Sequence, residues 1–252
     1  MAVLQRDMMG GLAKGLAAIE TFTAERPRQS IAEVSAASGL DRATARRCLL
    51  TLAQLGYADY DGKYFTLTPR VLRLGTACLA TMPLPQLVQP LLDQLSEQLG
   101  ESSSASILDG DEIVYVARAA QRKVMSIALM PGSRLPAFCT SMGRVMLAAL
   151  PESQAAARLA GPLPPRTRYT RTRSEDILAE LGRVRAQGFA LIDQEVELGL
   201  RSIAVPVITS RGQTVAAINV GVSASQASIE ALPELYLAGM QSVQAELRTM
   251  LR

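Results

Sequence analysis

Residues 30–62 read SIAEVSAASGLDRATARRCLLTLAQLGYADYDG, and this stretch decides the fold of the amino-terminal third. Ser30 is followed three residues later by Glu33, the pairing of a capping box at a helix start. Ile31, Val34 and Ala37 line one face of the short helix that follows. Ser38-Gly39-Leu40 is a tight turn with glycine at the helix stop, and Asp41 is an N-cap for a further helix reaching about Leu55. That helix carries an apolar stripe of Ala45, Cys48, Leu49, Leu52 and Leu55. At about 100° per residue, Ala43, Arg47 and Gln54 lie near the opposite pole, flanked by Arg42, Thr44, Arg46 and Thr51. Leu50 also falls on the exposed side, a local violation of the pattern. Beyond Gly56 the period changes to two. Tyr57–Tyr60 and Lys63–Thr68 alternate around Asp61-Gly62, the strongest short hairpin signal.

Upstream, Leu12, Leu16, Ile19 and Phe22 recur at helical spacing, and Glu25-Arg26-Pro27 closes that helix. Three helices, the last two joined by a glycine turn, then a hairpin: this order predicts a winged helix-turn-helix over residues 1–68. A lone arginine-rich helix is more often just the solvated face of a small helical bundle. The whole order is more specific and predicts binding to a double-stranded DNA operator. Donors early in the third helix stand where a recognition helix meets base edges and phosphates. Arg pairs bidentately with guanine, and Thr packs on the thymine methyl. The candidate DNA contacts are Ser30, Arg42, Ala43, Thr44, Arg46, Arg47 and Thr51, with Arg47 foremost and Lys63 on the wing for phosphate.

Downstream, Pro69 opens a helical stretch to about Thr81 in which Val71, Leu72, Leu74, Leu79 and Met82 are apolar. That surface either packs on its own domain or forms a dimer contact. Met82-Pro83-Leu84-Pro85 breaks the stretch, so 69–82 reads as a linker helix and 83–252 as a second domain. There, Leu87, Leu91, Leu95 and Leu99 predict a helix ending at Gly100. Strands are expected over 103–108, 113–118, 124–129, 189–194, 203–209 and 215–222, and helices over 141–150, 175–187 and 229–251. Helices interleave with antiparallel hairpins without strict βαβ alternation, which predicts an α+β domain with helices against one face of the sheet.

The 252 residues are 48% apolar and 19% charged, enough aliphatic material for a sizeable core. Histidine is absent, which excludes a Ser-His-Asp triad, a Cys-His dyad and any histidine metal site. The chain has no Walker A, GxSxG or post-strand GxGxxG pattern, and Cys139 has no imidazole to activate it. We therefore expect no enzyme, no catalytic residue, no metal and no cofactor. Cysteines at 48, 78 and 139 form no CxxC and no disulfide framework, the usage of a reducing cytoplasm. Residues 1–82 hold ten Lys and Arg against seven Asp and Glu, whereas 83–252 hold sixteen of each. The whole excess of +3 thus sits in the DNA-reading third. With no signal pattern and no apolar run near the roughly 18 residues of a membrane span, a cytoplasmic protein without a membrane partner is expected.

Over essentially its whole length the chain resembles the IclR family of transcriptional regulators. The residues that carry the likeness are Lys14-Gly15-Leu16, Ile31-Ala32-Glu33-Val34, Gly39-Leu40, Arg42 to Arg47, Thr51-Leu52 and Gly56-Tyr57 in the first half. In the second half they are Gly132 to Arg144, Gly188-Phe189, Glu195 to Val207 and Ala216 to Gly221. The resemblance implies a GAF-like effector-binding domain, a homodimer or homotetramer, and control of catabolic genes by small organic acids. Arg134 to Arg144 and Arg46-Arg47-Cys48-Leu49-Leu50-Thr51-Leu52 further resemble the subgroup that regulates protocatechuate, 4-hydroxybenzoate and β-ketoadipate metabolism. Its ligands are aromatic acids or their dicarboxylate ring-cleavage products. A short ketoacid is the alternative effector, and a non-regulatory DNA-binding oligomer the alternative function.

An anionic effector needs donors inside a largely apolar pocket. Backbone amides at a helix start supply a carboxylate site, and Thr140-Ser141-Met142-Gly143 opens the expected 141–150 helix, with Ser141 best placed. The resemblance implies further contacts at Leu200 and Ser202, and at Asn219 and Gly221, where the family often carries small hydroxyl residues. Asp193 and Glu195 lie on the loop closing the pocket, where they bind ligand hydroxyls or simply solvate the loop. Arg134 and Arg144 either counter a carboxylate or lie at the surface. The candidate ligand contacts are thus Arg134, Thr140, Ser141, Met142, Asp193, Glu195, Leu200, Ser202, Asn219 and Gly221. Occupancy is expected to act on the DNA-reading halves through the 69–82 helix.

Overall fold

A computed structural model describes residues 8–23, 25–81, 83–121 and 129–251. The strand expected over 124–129 falls almost wholly outside them. The chain divides into two units, Met1–Thr81 and Met82–Arg252. In the first, α1 (Gly10–Glu20), β1 (Arg28–Ser30), α2 (Ile31–Ser38), α3 (Arg42–Gln54), β2 (Ala58–Tyr60), β3 (Tyr64–Leu67) and α4 (Leu72–Thr81) follow one another. The local chemistry is that read from the sequence. The Ser30 hydroxyl accepts from the Glu33 amide at 3.4 Å while Glu33 Oε2 accepts from the Ser30 amide at 2.7 Å. Gly39 ends α2 at φ 71°, a left-handed backbone that favours glycine. Asp41 Oδ1 accepts from the Thr44 amide at 2.9 Å and starts α3.

Ala18, Val34, Ala45, Leu49, Leu52, Ala58 and Phe65 form the core of this unit. Leu50, which broke the exposed pattern, is half-buried against it. Three expectations are corrected. Leu55 is 54% exposed because α3 ends one residue earlier and Leu55 becomes its C-cap. Leu12 and Leu16 are exposed, since α1 contributes to the core only through Ala18 and Ile19 near its end, with Phe22 just beyond it. The wing is a three-stranded sheet in the order β1-β3-β2, the strand Arg28–Ser30 pairing with β3 just before the helix cap. Three residues ending in a cap give no alternation to detect.

The second unit is built on a six-stranded antiparallel sheet in the order β6-β5-β4-β9-β8-β7. Its elements are α5 (Pro83–Leu99), β4 (Ser102–Asp109), β5 (Glu112–Ala119), β6 (Arg134–Pro136), α6 (Ser141–Ala149), α7 (Glu152–Arg158), α8 (Ser174–Gln187), β7 (Ala190–Asp193), β8 (Leu200–Ile208), β9 (Thr214–Ser223) and α9 (Leu232–Met250). Proline at the first position of α5 restarts the helix rather than leaving an extended break. Helices cover both faces of the sheet, not one. Leu91, Leu92 and Leu95 of α5 and Met240 and Leu247 of α9 pack on Ile203, Val205, Ile218 and Val220. Met142, Val145 and Met146 of α6 and Ile177 and Leu181 of α8 pack on the other face, against Ala204 and Ala217.

Alternation along β8 and β9 makes those two faces unequal. Large branched side chains point to α5 and α9, while Ser202, Ala204, Ala217, Asn219 and Gly221 point to α6. Small residues under a helix start leave space between sheet and helix, and the cavity lies there.

Candidate functional site

On α3, Arg42, Ala43, Arg46, Arg47 and Thr51 are exposed, as is Lys63 at the hairpin tip. Among the described residues no carboxylate lies within ion-pair distance of Arg42, Arg46 or Arg47. The helix face therefore presents uncompensated guanidinium groups at one end and Thr51 further along. Two candidates are corrected. Thr44 is only 6% exposed; its amide is held by Asp41 and its hydroxyl accepts from Arg47 Nη2 at 3.4 Å, so it supports Arg47 rather than facing outward. The Ser30 hydroxyl donates to Glu33 Oε2 at 2.6 Å and is taken up by the capping box. On the wing, Asp61 accepts from the amides of Lys63 and Tyr64 and from the Arg28 guanidinium, which together hold its carboxyl well below the usual range. Arg28 and Lys63 both lie over the Tyr64 ring, at 4.3 Å and 5.0 Å.

In the second unit a small cavity of about 30 Å³, partly open to solvent, lies between the sheet and the start of α6. It brings together Thr140, Ser141, Met142, Leu200, Ser202, Asn219 and Gly221 from the expected set. Thr140 is the N-cap of α6: its hydroxyl accepts from the Gly143 amide at 3.2 Å and donates to the Pro136 carbonyl at 3.1 Å. Ser202 Oγ donates to Ser141 Oγ at 2.9 Å, joining β8 to the first turn of α6. Asn219 Oδ1 is buried and accepts no hydrogen bond.

Three expected contacts lie elsewhere. Arg134 is held at the edge of the sheet between Glu112 and Asp109, each at 2.7 Å. Asp193 pairs with Arg201 at 2.7 Å across β7 and β8. Glu195 is 5% exposed and bonds Arg144 Nη2 at 2.7 Å. Arg144 is neither a surface residue nor a cavity cation: it is fully buried and its Nε donates to the Phe138 carbonyl at 3.0 Å. Burial lowers its guanidinium pKa, against the pull of Glu195.

The cavity's own cation escaped the sequence reading. Arg118 on β5 lines it together with Tyr115 and Ser102, and Arg118 Nη1 donates to Ser104 Oγ at 2.9 Å. Strict alternation puts residues 115 and 118 on opposite faces. A register shift opposite Ala105/Ser106, however, pairs Ala105 with Ala117 but Ser106 with Tyr115. The extra residue turns Tyr115 and Arg118 to the same side. Arg118 has no carboxylate partner among the described residues, and burial depresses its pKa. It is the one charged side chain lining the cavity among them. Burial also pushes the Tyr115 hydroxyl up to about 12 and the Cys139 thiol up to about 12, so both stay protonated near neutrality. Cys139 is thus a poor nucleophile.

The first unit thus presents an exposed cationic helix of winged helix-turn-helix type, and the second holds a cavity lined by one cation that is unpaired among the described residues. Residues 11–62 match the IclR helix-turn-helix domain, and residues 76–245 match the bacterial transcriptional regulator IclR C-terminal domain. The chain is 43% identical over 233 residues to the Pca regulon regulatory protein of Pseudomonas putida, covering 92% of this chain and 80% of that protein. It is 42% identical to a candidate transcriptional regulator of Rhodococcus sp. RHA1 of known structure, with a TM-score of 0.79 over 97% of this chain and 98% of that one. The inducer-binding domain of the Acinetobacter PobR transcription factor, solved as a double mutant with 3-hydroxybenzoic acid, is 31% identical. It has a TM-score of 0.63 and covers 66% of this chain and 98% of that one. With both units matched in sequence and the whole chain matched in fold, the protein belongs to the IclR family of DNA-binding transcriptional regulators.

Proposed function

We propose that this regulator controls genes of aromatic-compound catabolism, with a small organic acid of that metabolism bound in the cavity as its effector. The observation that carries the reading is Arg118. Among the described residues, a guanidinium without a carboxylate partner is the one charge facing the cavity, beside serine hydroxyls and the amides that open α6. Such a site favours an anion with an apolar body. Likeness to the Pca regulon regulatory protein and to the PobR domain in complex with 3-hydroxybenzoic acid supports the metabolic assignment. That its relatives are named as regulators, and that Cys139 is a poor nucleophile, supports regulation over catalysis.

In this reading residues 1–68 read DNA, 69–82 couple and 83–252 sense. Arg42, Ala43, Arg46, Arg47, Thr51 and Lys63 meet the operator. Ser141, Met142, Leu200, Ser202, Asn219 and Gly221 join Arg118 around the ligand. The protein acts in the cytoplasm as a homodimer on two half-sites about one helical turn apart, or a multiple of that. Leu72 and Leu74, 70% and 53% exposed on α4, support self-association. The effector shifts operator affinity only by binding one arrangement of the dimer better than another.

Gel-shift titration against promoter fragments flanking its own gene, with and without 4-hydroxybenzoate, protocatechuate and β-ketoadipate, tests the proposal. We expect a sequence-specific shift whose midpoint moves with at least one acid; no shift under any condition refutes it. In the same assay Arg47→Ala is expected to weaken operator binding by about 1–3 kcal/mol, since exposed Arg on a recognition helix contacts base or phosphate. Its melting temperature should stay that of the wild type.

Gly221→Val separates sensing from folding. A Cβ at Gly221 meets only Leu200 Cδ1, at 3.7 Å, and valine suits a β-strand, so the fold should hold. The added methyl groups occupy the cavity. Calorimetry should then show no acid binding, while operator binding without effector survives. Acid binding as strong as in the wild type would place the ligand elsewhere.

A further inference from the structure

Resting on the operator-binding reading, we infer that the groove between α1 and α3 seats a phosphate of the DNA backbone, held by Lys14 of α1 together with Arg47.

The first ground is charge. An open groove of about 390 Å³ runs between Gly11, Lys14 and Gly15 in the first half of α1 and Arg47, Cys48 and Thr51 of α3. Lys14 and Arg47 are both exposed, and among the described residues no carboxylate lies within ion-pair distance of either. Among those residues no carboxylate lines the groove. Arg47 Nη2 donates to Thr44 Oγ1 at 3.4 Å, and Thr44 also lines the groove, so the guanidinium is kept on that side of α3. Two cations from two helices thus share one opening, an arrangement that repels itself until an anion enters.

The second ground is room. Gly11 and Gly15 stand one turn apart on one face of α1, although glycine is a poorer helix former than alanine. Packing inside the protein does not call for them, because a Cβ at either position would have nothing within 4 Å. The bare helix backbone instead leaves depth for a partner to approach beside Lys14.

The third ground is the kind of anion. The Thr51 hydroxyl donates to the Arg47 carbonyl at 2.8 Å, so it has no proton left for a ligand and the groove offers charge rather than a base-reading pattern. An ammonium is a compact point charge suited to phosphate. Ala18 and Ile19 of α1 share a core with Ala45 and Leu49 of α3, so Lys14 flanks the recognition helix instead of lying on its outward face. Backbone phosphates border the major groove in which such a helix sits. An open site gains little from a lone small anion, whereas duplex phosphates add the release of condensed counter-ions.

Fluorescence anisotropy of the full-length protein across a salt series tests this, with a promoter fragment flanking its own gene and a random-sequence duplex of equal length. For Lys14→Gln we expect both duplexes to lose affinity by the same factor, and the slope of log affinity against log salt to fall by about one per protomer. Lys14→Arg should restore both quantities. Gly15→Leu, which puts a side chain into the groove, should lose affinity for both duplexes while melting no lower than the wild type. Gly10→Ala, outside the groove, should bind both as the wild type does. Melting curves report that each variant is folded. A folded Lys14→Gln protein with unchanged affinity and slope, a loss confined to the promoter fragment, or wild-type binding by Gly15→Leu would overturn the inference and leave operator binding standing. Failure of the wild type to bind either duplex would overturn both.

Discussion

Gly143→Ala should unfold the second unit at a markedly lower temperature, although alanine is the better helix former. In an exposed helix that change is worth about 1 kcal/mol in favour of alanine. Here the sign reverses. A Cβ at Gly143 would stand well inside 3.0 Å of the carbonyl oxygen and Cα of Ala137 and of Thr140 Oγ1. Two of those three atoms are backbone, in a buried 3-10 turn over Ala137–Cys139, and the third is the hydroxyl that caps α6. Neither can swing aside as a flexible side chain does. Overpacking of this kind costs about 3 kcal/mol or more, which corresponds to a fall of roughly 6–12 °C for a unit of this size. The same displacement moves Ser141 and Met142, so acid binding should weaken with it. Gly239→Ala is the control, because its Cβ would meet the movable Leu95 Cδ1 at 3.2 Å. Its melting temperature should change little. Equal effects at both positions would show that the close approach at α6 is not what holds the helix start.

Glu195→Ala should be comparably severe, by an electrostatic route. Glu195 Oε2 accepts from Arg144 Nη2 at 2.7 Å and from the Arg171 amide at 3.0 Å, and the Thr170 hydroxyl donates to the Glu195 carbonyl. Arg144 is fully buried, and its Nη1 has no hydrogen-bond partner. Deleting the carboxylate leaves Arg144 only the longer-range attraction of Glu180, which is engaged by Arg171 at 2.8 Å and Arg183 at 2.9 Å, while Arg171 itself is another cation. Breaking one side of a buried pair costs about 3–5 kcal/mol. Replacing both partners with apolar residues removes the uncompensated charge, so Arg144→Met with Glu195→Leu should be far milder than Glu195→Ala alone. Denaturant unfolding of the three proteins forms the cycle. If the double variant is as unstable as the single one, packing around the loop and not its charge is what matters. Val196 and Leu200 line the cavity from the segment that Glu195 anchors, so acid affinity should fall with the single variant.

Much of the first unit was legible because its signals are local. Capping boxes, glycine stops and the Asp-Gly turn are decided within a few residues, and the structure forms them where the sequence places them. Errors arise where burial depends on distant elements. Thr44 reads as exposed from helical phase, yet α3 seats it against its own unit. The same divide runs through the second unit. Ser141 could be placed from its position at a helix start, and Ser202, Asn219 and Gly221 by resemblance. Asp193, Glu195 and Arg134, equally polar and close in sequence, are drawn away by Arg201, Arg144 and the Asp109–Glu112 pair. Charged side chains take the partner that geometry offers, and those partners lie 8 to 51 residues away.

That a cationic helix-turn-helix with a wing precedes a mixed helix and sheet unit, and that histidine chemistry is excluded, can be read from the residues alone. Periodicity and capping are properties of neighbouring residues and survive without a three-dimensional frame. Which charge faces the cavity depends instead on how distant strands pair. One extra residue in β5 inverts the phase of everything beyond it, and that inversion turns Arg118 inward. No count of polar residues along the strand carries that information, because a bulge is settled by how two strands pair.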